Sequence, residues 1–579
     1  MWSRRWGEYK ALAVIRRIVL LAINSKYVHS SLAVWLIAAG IREYTNIPHE
    51  VCILETTIHQ PCNEIADDVA VKKPDIIGIS SYIWNARILP ALVNNLKCLL
   101  PQAKIVLGGP EAEYNADFWR GAGADYILTG EGETSFPELI TALYLPMDVS
   151  HESLPSKSLS PSHNKKFHFF STHRKKDLYL QTDNSSPSST CIVPDDAYYT
   201  TLSGRIAYLE TSRGCPFTCS YCLSAESSVK YFPLETVKQQ ICKLSQTEAK
   251  TIKLTDRTFN CNPARAYDII SFIVNLNTTA RFHFEAAADL FDKRTLNLLA
   301  TAPPGRIQLE IGIQSFFEPA LSAVSRKTDL KKAERNIRSL LQNENIHIHI
   351  DLISGLPYET FEDIKNSFDR AYSLNAHTLQ LGFLKVLHGS PLRRQAAELG
   401  ITYDCTAPYE IISSTWLSSE DIKSLKQTAN ALQNTQNKQR FIETINYTLS
   451  TSKFRPFTFY QMLGKRVSHN GTSLSDYAAK IFYFCASLPN IKVNELRDYM
   501  TYDWLAMVKG KNKPSVLKTS GNQYKQMQNL IKQRLCHKVR RDEVGILSTG
   551  TVIYVDSSDR DPVTGLYKVH AGLENNNAT

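Results

Sequence analysis

The sequence lacks the features of a membrane or secreted protein. No apolar run approaches the roughly 20 residues that a membrane helix needs. The most apolar N-terminal stretch, residues 14–23, is interrupted by Arg16 and Arg17 and lacks a small-residue cleavage site. The 12 cysteines are irregularly scattered, except for three near the centre, which excludes a disulfide scaffold. We therefore expect a cytoplasmic protein that works in a reducing, oxygen-free setting and has no membrane partner.

The net charge is modest but unevenly distributed. The 579 residues carry a net charge of +10, with basic side chains concentrated at 165–176 and 509–541. Basic patches of this kind can bind the phosphates of a nucleic acid. Charge runs are more often solvated helix faces, so nucleic acid is kept only as an alternative partner. A chain of this length predicts about three domains.

Residues 16–145 alternate between apolar runs and helix-length segments, which predicts a doubly wound, Rossmann-like α/β domain. The runs lie at 18–23, 51–54, 76–79, 105–107 and 126–128. Loops rich in small residues follow three of these runs and would let backbone amides approach a ligand with a nucleotide-like tail. These loops contain Ser80 and Ser81, then Gly108 and Gly109, then Gly130, Glu131, Gly132 and Glu133.

Three closely spaced cysteines follow a predicted strand at 205–210. Cys215, Cys219 and Cys222 are separated by three and then two residues. Three thiolates can hold three irons of a 4Fe-4S cluster, which needs four ligands, and so leave one iron open to a substrate or cofactor. A structural zinc site usually has four protein ligands, and a disulfide pairs an even number of cysteines. The spacing therefore favours a cluster with an open iron.

The remaining chain divides into three further regions. Residues 146–192 are rich in Ser, Pro, Asn, His and Lys, which predicts a flexible linker or insertion. Residues 193–398 alternate strands and helices in six or seven units, fewer than the eight of a closed barrel, which predicts a partial (β/α) barrel. Residues 399–579 have mainly helical periodicity followed by a closing hairpin, without a metal-binding or nucleophilic motif.

The cysteine motif, with Tyr221 before its last cysteine, resembles the signature of the radical S-adenosylmethionine (SAM) superfamily. The resemblance implies that the open iron chelates SAM and that one electron cleaves SAM to a 5'-deoxyadenosyl radical. It also implies an electron donor of the flavodoxin or ferredoxin type. Further matches to radical SAM enzymes lie at strand ends and imply a SAM site. They are Glu285, Gln314, Arg326, Asp351 and Gly355, with Glu310 and Asp256 as additional polar lining.

Some of these residues also have simpler interpretations. Asp351 could cap a turn, and Arg326 could form an exposed salt bridge. His347 and His349 alternate on one strand face without a carboxylate or cysteine at metal-ligand spacing. We therefore interpret these two histidines as packed or solvent-facing and not as metal ligands.

The N-terminal domain resembles the cobalamin-binding domain that precedes the barrel in one subgroup of these enzymes. The resemblance implies that its Gly-Gly and Gly-Glu-Gly-Glu loops hold the cobalamin nucleotide tail. The Asp-x-His-x-x-Gly motif, which supplies an axial histidine in other cobalamin proteins, is absent, so we expect His29 to make a polar contact and not to bind cobalt. Our hypothesis is that Trp84 or Asn85 covers the lower face of cobalamin. The alternative is that Trp84 packs under the first turn of a helix.

These resemblances imply a cobalamin-dependent radical SAM enzyme that methylates an unactivated carbon of an unknown small or macromolecular substrate. A cobalamin-assisted radical cyclisation, rearrangement or oxidation remains an alternative. So does an RNA-modifying enzyme with a vestigial cobalamin domain. The C-terminal domain resembles an uncharacterised domain of some such enzymes, and we expect it to cover the barrel mouth.

Overall fold

The computed structural model describes residues 14–144, 169–172, 175–178, 191–225, 227–467, 471–508, 513–517 and 543–572. Two parallel sheets, of five and six strands, build the N-terminal and central parts of the chain. Helices dominate the region that follows. This architecture confirms the predicted fold class. Within the described ranges, no helix is both long and apolar enough to cross a membrane.

The N-terminal sheet is parallel and has the strand order β2-β1-β3-β4-β5. Its strands are β1 (Arg16–Asn24), β2 (His49–Thr57), β3 (Ile76–Ser80), β4 (Lys104–Gly108) and β5 (Tyr126–Leu128). The helices are α1 (Leu32–Tyr44), α2 (Cys62–Ala70), α3 (Leu89–Leu99), α4 (Pro110–Tyr114), α5 (Ala116–Gly121) and α6 (Gly132–Tyr144). In β1, Leu20 packs in the cluster containing Phe136 of α6, whereas Val19 packs in the cluster containing Leu92 of α3. Helices on both faces explain why this strand is apolar throughout.

A short antiparallel pair lies in the predicted linker. It consists of β6 (Phe169–Thr172) and β7 (Lys175–Leu178). The rest of the linker up to residue 190 lies outside the described residues. Helix α7 (Asp196–Thr200) then leads into the second sheet.

The second sheet is a partial barrel with the parallel strand order β15-β14-β13-β12-β11-β8. Its strands are β8 (Ile206–Leu209), β11 (Thr251–Leu254), β12 (Phe282–Ala286), β13 (Ile307–Gln314), β14 (His347–Ser354) and β15 (Thr378–Phe383). The helices are α8 (Leu234–Ser245), α9 (Pro263–Asn275), α10 (Lys293–Ala300), α11 (Glu318–Ala323), α12 (Leu330–Leu341) and α13 (Phe361–Tyr372). Along β12, β13 and β14, buried apolar residues alternate with half-buried, mostly polar ones. This alternation gives the barrel a polar interior.

The cluster cysteines begin on a small hairpin outside the barrel sheet. Strands β9 (Ser212–Cys215) and β10 (Ser227–Tyr231) pair antiparallel. Sequence analysis placed the cysteines after the strand at 205–210 and did not predict this hairpin. The partner strand lies 12 or more residues away, and such pairing leaves no periodic signal in so short a strand.

The N-terminal domain contacts the barrel at its edge strand β8. The Ile206 amide donates to the Val28 carbonyl oxygen (2.7 Å). Arg205, whose side chain is 8% exposed, forms an ion pair with Glu55 at 2.6 Å. The Trp35 indole N–H also donates to Glu55 (2.9 Å). One face of the N-terminal sheet therefore shares a continuous core with the barrel.

The C-terminal region is mainly helical, as the sequence predicted. It comprises α14 (Pro391–Gln395), β16 (Thr402–Tyr403), β17 (Ile411–Ser413), α15 (Ser419–Asn434), α16 (Ile442–Ser452), α17 (Pro456–Arg466), α18 (Leu474–Ala486) and α19 (Val493–Met507). It ends in an antiparallel sheet of β18 (Val544–Ile546), β19 (Val552–Arg560) and β20 (Tyr567–Gly572). The closing hairpin expected from the sequence is formed by β19 and β20, and β18 adds a third strand to it. Residues 518–542, which belong to the stretch with predicted helical periodicity, lie outside the described residues.

The described helices of this region contact other parts of the barrel than the mouth, which the sequence analysis expected the region to cover. Asn437, just after α15, makes two hydrogen bonds to Leu379 on the edge strand β15 (3.0 and 2.8 Å). The Pro562 carbonyl oxygen accepts a hydrogen bond from Arg281, which precedes β12 (3.0 Å). The C-terminal region therefore covers the open edge and the N-terminal rim of the barrel. Segment 384–417, which includes the start of the predicted C-terminal domain, borders the mouth: the Leu384 amide donates to the Ser354 carbonyl oxygen (3.0 Å), and Ile411 packs against Gly355.

Candidate active site

The three predicted cluster cysteines lie in one short segment. Cys215 is 8% exposed, Cys219 is 7% exposed, and Cys222 is half-buried. The Cys215 amide donates to the Ser227 hydroxyl (2.9 Å), and the Cys222 amide donates to the Cys219 carbonyl oxygen (3.0 Å). Burial raises the pKa of the Cys222 thiol, so a strongly positive partner would be needed to hold it as a thiolate. Three unpaired thiols in this arrangement fit a 4Fe-4S cluster with one open iron.

Gly214 and Asp256 fix the backbone that carries the cysteines. Gly214 has a φ of +99°, and a Cβ atom there would clash with the Ser228 carbonyl oxygen. Asp256 is 2% exposed and accepts hydrogen bonds from the Thr211 amide (3.1 Å), the Thr211 hydroxyl (2.7 Å) and the Ser212 hydroxyl. Burial raises the pKa of Asp256, although these hydrogen bonds oppose the shift. Asp256 was expected to line the SAM site, but it lies beneath β9 and supports the cysteine segment.

A cavity of about 130 Å³ lies beside the cysteine segment. Six of the residues predicted to bind the cluster or SAM line it: Cys219, Glu285, Glu310, Gln314, Arg326 and Asp351. Gly355 is not among the lining residues. It has a φ of +95°, and a Cβ atom there would lie 2.8 Å from Ile411, so this glycine permits close packing of the segment at the mouth. Tyr221 is half-buried, and burial raises its pKa.

Arg326 connects this cavity to the cysteines. One guanidinium nitrogen lies 3.7 Å from the Cys219 sulfur, and another donates to the Gly312 carbonyl oxygen. Its Nε atom is buried and has no hydrogen-bond partner among the described residues. An N–H donor without a partner, on an arginine that lines this cavity, fits an oxyanion such as the carboxylate of SAM. Arg326 does not form the exposed salt bridge that was considered as an alternative, because its partners are the Cys219 sulfur and the Gly312 carbonyl oxygen.

A charged network fills the barrel interior next to the same cavity. Lys253 lies 3.1 Å from Glu285 and 3.1 Å from Glu310, and His283 contacts Glu310 at 2.8 Å. Burial raises the pKa of Glu310, but the hydrogen bond from His283 and the charge of Lys253 together bring it below its ordinary value. The Lys253 ammonium group supplies the positive charge that these carboxylates need.

One histidine has the carboxylate neighbours that its sequence spacing did not reveal. His349 lies 3.0 Å from Asp351, and strand pairing brings Glu310 close, so that ligand atoms of all three lie within 4.8 Å of one another. Lys253 already neutralises Glu310, which argues against a metal ion here. We retain the interpretation that His349 and His347 are packed side chains. Both occupy half-buried positions of β14, and the His347 ring stacks on the His377 ring with centroids 5.0 Å apart.

A larger cavity, of about 740 Å³, lies between the N-terminal sheet and the barrel. The predicted cobalamin-loop residues that line it are Ser80, Trp84, Gly108, Gly109, Gly130, Gly132 and Glu133. Ser81 is fully buried behind them, and its amide donates to the Gly108 carbonyl oxygen (2.7 Å). Gly109 has a φ of +104°, and a Cβ atom there would lie 2.6 Å from the Ser81 carbonyl oxygen. Only glycine allows these two loops to pack this closely at the cavity wall.

Trp84 and Asn85 have different roles at this wall. Asn85 is fully buried, accepts from the Tyr82 amide (2.9 Å) and donates to the Ser80 carbonyl oxygen (2.9 Å). Trp84 is 44% exposed, stacks on the Tyr82 ring with centroids 4.3 Å apart, and donates to the Ile23 carbonyl oxygen (3.1 Å). Asn85 thus stabilises its own turn, whereas Trp84 presents a flat aromatic surface to the cavity.

His29 also lines the larger cavity, where it contacts the barrel. Its Nδ1 atom lies 2.7 Å from the Tyr208 hydroxyl group of β8. Burial lowers the pKa of His29, and the nearby cations Lys26 and Lys253 lower it further. A neutral imidazole with this partner makes the polar contact expected from the sequence.

The carboxylates of the Gly-Glu-Gly-Glu loop point to the cysteine hairpin. Arg213 of β9 lies 2.7 Å from Glu133 and 3.1 Å from Glu131. Lys230 of β10 lies 3.1 Å from Glu131. We call these four residues the loop–hairpin ion pairs. Glu131 is thus held by the hairpin and is not among the cavity-lining residues, whereas Glu133 lines the cavity while paired with Arg213.

Sequence analysis missed three cations at the larger cavity: Arg213, Lys253 and Arg257. One signal was available, because Lys253 is a charged residue at an inward position of a predicted strand. The other two follow no motif, and their position depends on the three-dimensional fold.

Three family models match successive parts of the chain. A B12 binding domain matches residues 18–140, the radical SAM superfamily matches 209–371, and a protein of unknown function (DUF4080) matches 397–544. These matches confirm the predicted resemblance to radical SAM enzymes that carry a cobalamin-binding domain and an uncharacterised C-terminal domain. They also agree with the predicted cofactors: a 4Fe-4S cluster, SAM and cobalamin.

Two curated relatives share parts of this arrangement. The chain is 24% identical over 385 residues to the cobalamin-dependent radical SAM methyltransferase TokK of Streptomyces tokunonensis, covering 61% of this chain and 55% of that protein. It is 25% identical over 321 residues to the 2-(S-pantetheinyl)-carbapenam-3-carboxylate methyltransferase of Streptantibioticus cattleyicolor, covering 50% and 44%. The chain thus spans about half the length of these relatives.

Two solved structures share the fold. The radical SAM methyltransferase TsrM from Kitasatospora setae has a TM-score of 0.52 at 17% identity, covering 68% of this chain and 79% of that one. The cobalamin-dependent SAM radical enzyme OxsB in its apo form has a TM-score of 0.56 at 14% identity, covering 84% and 78%. These similarities establish the arrangement of sheets and leave the reaction open.

Proposed function

We propose that this protein is a cobalamin-dependent radical SAM methyltransferase that methylates an unactivated carbon of its substrate. The observation that carries the proposal is that Arg257 and Glu285 line both the smaller and the larger cavity. A substrate carbon at this junction would lie near both cofactors, which is the proximity that a two-cofactor transfer requires. The relatives named as methyltransferases support the same reaction type.

When bound, the three cofactors would together supply a 5'-deoxyadenosyl radical and a transferable methyl group. Cys215, Cys219 and Cys222 would hold the cluster. Arg326 would bind the SAM carboxylate through its unpartnered Nε atom. Glu285 would bind the SAM amine, in competition with Lys253, which keeps Glu310 as its second partner.

The larger cavity would hold cobalamin. The backbone of the Gly108–Gly109 and Gly130–Glu133 loops would bind its nucleotide tail, and Trp84 would cover its lower face without providing a ligand to cobalt. Segment 384–417 closes against the N-terminal domain, where the Tyr409 hydroxyl donates to Glu111 (2.5 Å). This contact would help to exclude water from reactive intermediates.

The electrons would come from a flavodoxin- or ferredoxin-type donor. The first test is anaerobic reconstitution with iron, sulfide and hydroxocobalamin, followed by SAM labelled in its methyl group and a cell extract as substrate source. We expect about four irons and one cobalt per chain, together with labelled product. The Cys219→Ala variant should bind cobalt but produce neither 5'-deoxyadenosine nor labelled product.

Product mass separates this proposal from its alternatives. A product without the added methyl group would favour a radical cyclisation, rearrangement or oxidation. Label recovered in RNA would favour an RNA-modifying enzyme, whose binding should weaken steeply with salt. Iron without cobalt would reject the cobalamin-dependent reaction altogether.

A further inference from the structure

Among the residues that the structure describes, three Lys or Arg side chains line the larger cavity, and two of them are neutralised by carboxylates. Arg213 pairs with Glu133 and Glu131. Lys253 pairs with Glu285 and Glu310 at 3.1 Å each. The third cation is Arg257, whose guanidinium group has no hydrogen bond or ion pair within the part of the chain that the structure describes.

Arg257 occupies the junction of the two cavities. It lines both of them, together with Glu285. In the smaller cavity it lies with Cys219, and in the larger cavity it lies with Tyr82 and Trp84. The unpaired guanidinium group is therefore placed between the cysteine segment and the aromatic wall of the larger cavity.

The two residues that flank Arg257 make side-chain contacts with the cysteine segment. Asp256 is anchored by three hydrogen bonds to Thr211 and Ser212. On the other side, the Thr258 hydroxyl group lies 3.7 Å from the Cys215 sulfur. A guanidinium group that projects from so constrained a segment loses little backbone freedom when it binds a ligand.

We propose that Arg257 binds an oxyanion of the substrate, a carboxylate or a phosphate, and so holds the reacting carbon at the cavity junction. This inference rests on the proposed function. A guanidinium group matches both oxyanions in a bidentate geometry. Filling the two cavities with cofactors would remove water from around Arg257, and an uncompensated cation there would be unfavourable.

The cofactors have other partners for their own anionic groups. The SAM carboxylate can use the unpartnered Nε atom of Arg326. The phosphate of the cobalamin tail can use backbone amides of the glycine loops, which line the larger cavity at Gly109 and Gly130. Arg257 is thus left for the substrate, and its loss should change substrate affinity and leave the affinity for both cofactors intact.

The test compares Arg257→Gln and Arg257→Lys with wild type, all fully reconstituted. Arg394→Gln, which alters an exposed arginine of α14, serves as the matched control. We expect the dissociation constants of SAM and cobalamin to stay within about twofold of wild type. With the extract substrate, Arg257→Gln should raise KM about 100-fold, and Arg257→Lys should recover part of the loss.

Simple anions test the site without the natural substrate. Acetate and inorganic phosphate are titrated into the reduced holoenzyme while the electron paramagnetic resonance spectra of cobalt and the cluster are recorded. We expect at least one anion to perturb the wild-type and Arg394→Gln spectra and neither to perturb Arg257→Gln. Retention of the labelled product on anion exchange, before and after phosphatase treatment, distinguishes a carboxylate from a phosphate.

The outcomes separate this inference from the proposed function. If wild type transfers no label to any product, the methyltransferase proposal fails, while the anion titration still decides whether Arg257 binds oxyanions. Equal anion responses in wild type and Arg257→Gln would overturn the inference. So would a tenfold loss of SAM or cobalamin affinity in Arg257→Gln, or a methylated product without a carboxylate or phosphate.

Discussion

Glu359 is a buried glutamate close to the smaller cavity. It is 1% exposed and accepts a hydrogen bond from the Ser315 hydroxyl group, directly after the strand-end residue Gln314. Burial raises its pKa from 4.5 to about 8. Because the folded pKa is the higher one, the contribution of Glu359 to stability is complete below pH 4.5 and is lost as the pH rises through 8.

We therefore expect the free energy of unfolding to fall by up to about 1.4 kcal/mol per pH unit between these two pKa values from this residue alone. Glu359→Gln should abolish that component because it cannot ionise. Chemical unfolding of both proteins across this pH range measures the difference. Parallel pH profiles for the two proteins would show that Glu359 does not titrate as inferred.

Asp256 supports the cysteine segment from below. Asp256→Asn keeps the shape of the side chain but replaces one acceptor oxygen with a donor, which disturbs three hydrogen bonds to Thr211 and Ser212. We expect a loss of about 2 kcal/mol in stability and a markedly lower iron content after reconstitution. Iron analysis beside Asp268→Asn, which alters an exposed aspartate of α9, provides the check. Wild-type iron content in Asp256→Asn would contradict this positioning role.

At the scale of elements, the loop–hairpin ion pairs couple the Gly-Glu-Gly-Glu loop to the strand that carries Cys215. Arg213→Gln would leave Glu133, 12% exposed, without its 2.7 Å partner. We expect a loss of about 2 kcal/mol in stability and weaker retention of cobalamin, because the loop that would hold its tail loses an anchor. Gel filtration followed by cobalt analysis measures retention.

The control for this prediction is Lys238→Gln, which removes a surface cation paired with the largely exposed Glu235. It should retain cobalamin as wild type does. If Arg213→Gln retains cobalamin equally well, the loop does not need the hairpin for its conformation.

The sequence predicted those strands in which the local pattern of apolar and polar residues matches their burial in the fold. The apolar run 18–23 became β1, because helices on both faces bury it. The alternation around Glu310 and Asp351 became the polar interior of the barrel. Of the six predicted residues at the smaller cavity, Glu285, Glu310, Gln314 and Asp351 lie on strands β12, β13 and β14, at the half-buried positions of the alternation. Cys219 and Arg326 lie outside these strands and were predicted from their motifs alone.

Long-range contacts were not predictable in this way. The β9–β10 hairpin, the ion pairs of Glu131 and Glu133, and the junction position of Arg257 depend on segments far apart in sequence. Asp256 and Gly355 occupy strand ends, as motif reasoning required, yet packing directs them beneath a strand and against Ile411. A strand-end position therefore did not identify which residues reach the cavity.

For the whole molecule, the buried pair between Arg205 and Glu55 joins the N-terminal domain to the barrel. Arg205→Met would leave Glu55, 11% exposed, without its cation. We expect a loss of about 3 kcal/mol and, if docking fails, two separate unfolding transitions in calorimetry. Lys243→Met, which removes an exposed pair with Asp196, should leave the thermogram nearly unchanged. A single wild-type transition in both variants would show that other contacts suffice.

The hydrogen bond from the Ile206 amide to the Val28 carbonyl oxygen has a consequence for the evolution of this chain. Strand β8 is the outermost strand of the barrel sheet, and an uncovered edge of this kind invites aggregation. The backbone after β1 occupies hydrogen-bonding groups on that edge. A descendant that no longer needed the cofactor of its first domain would still suffer if the domain were deleted. The domain could therefore persist in a lineage as a protective cover long after its original chemistry had been lost.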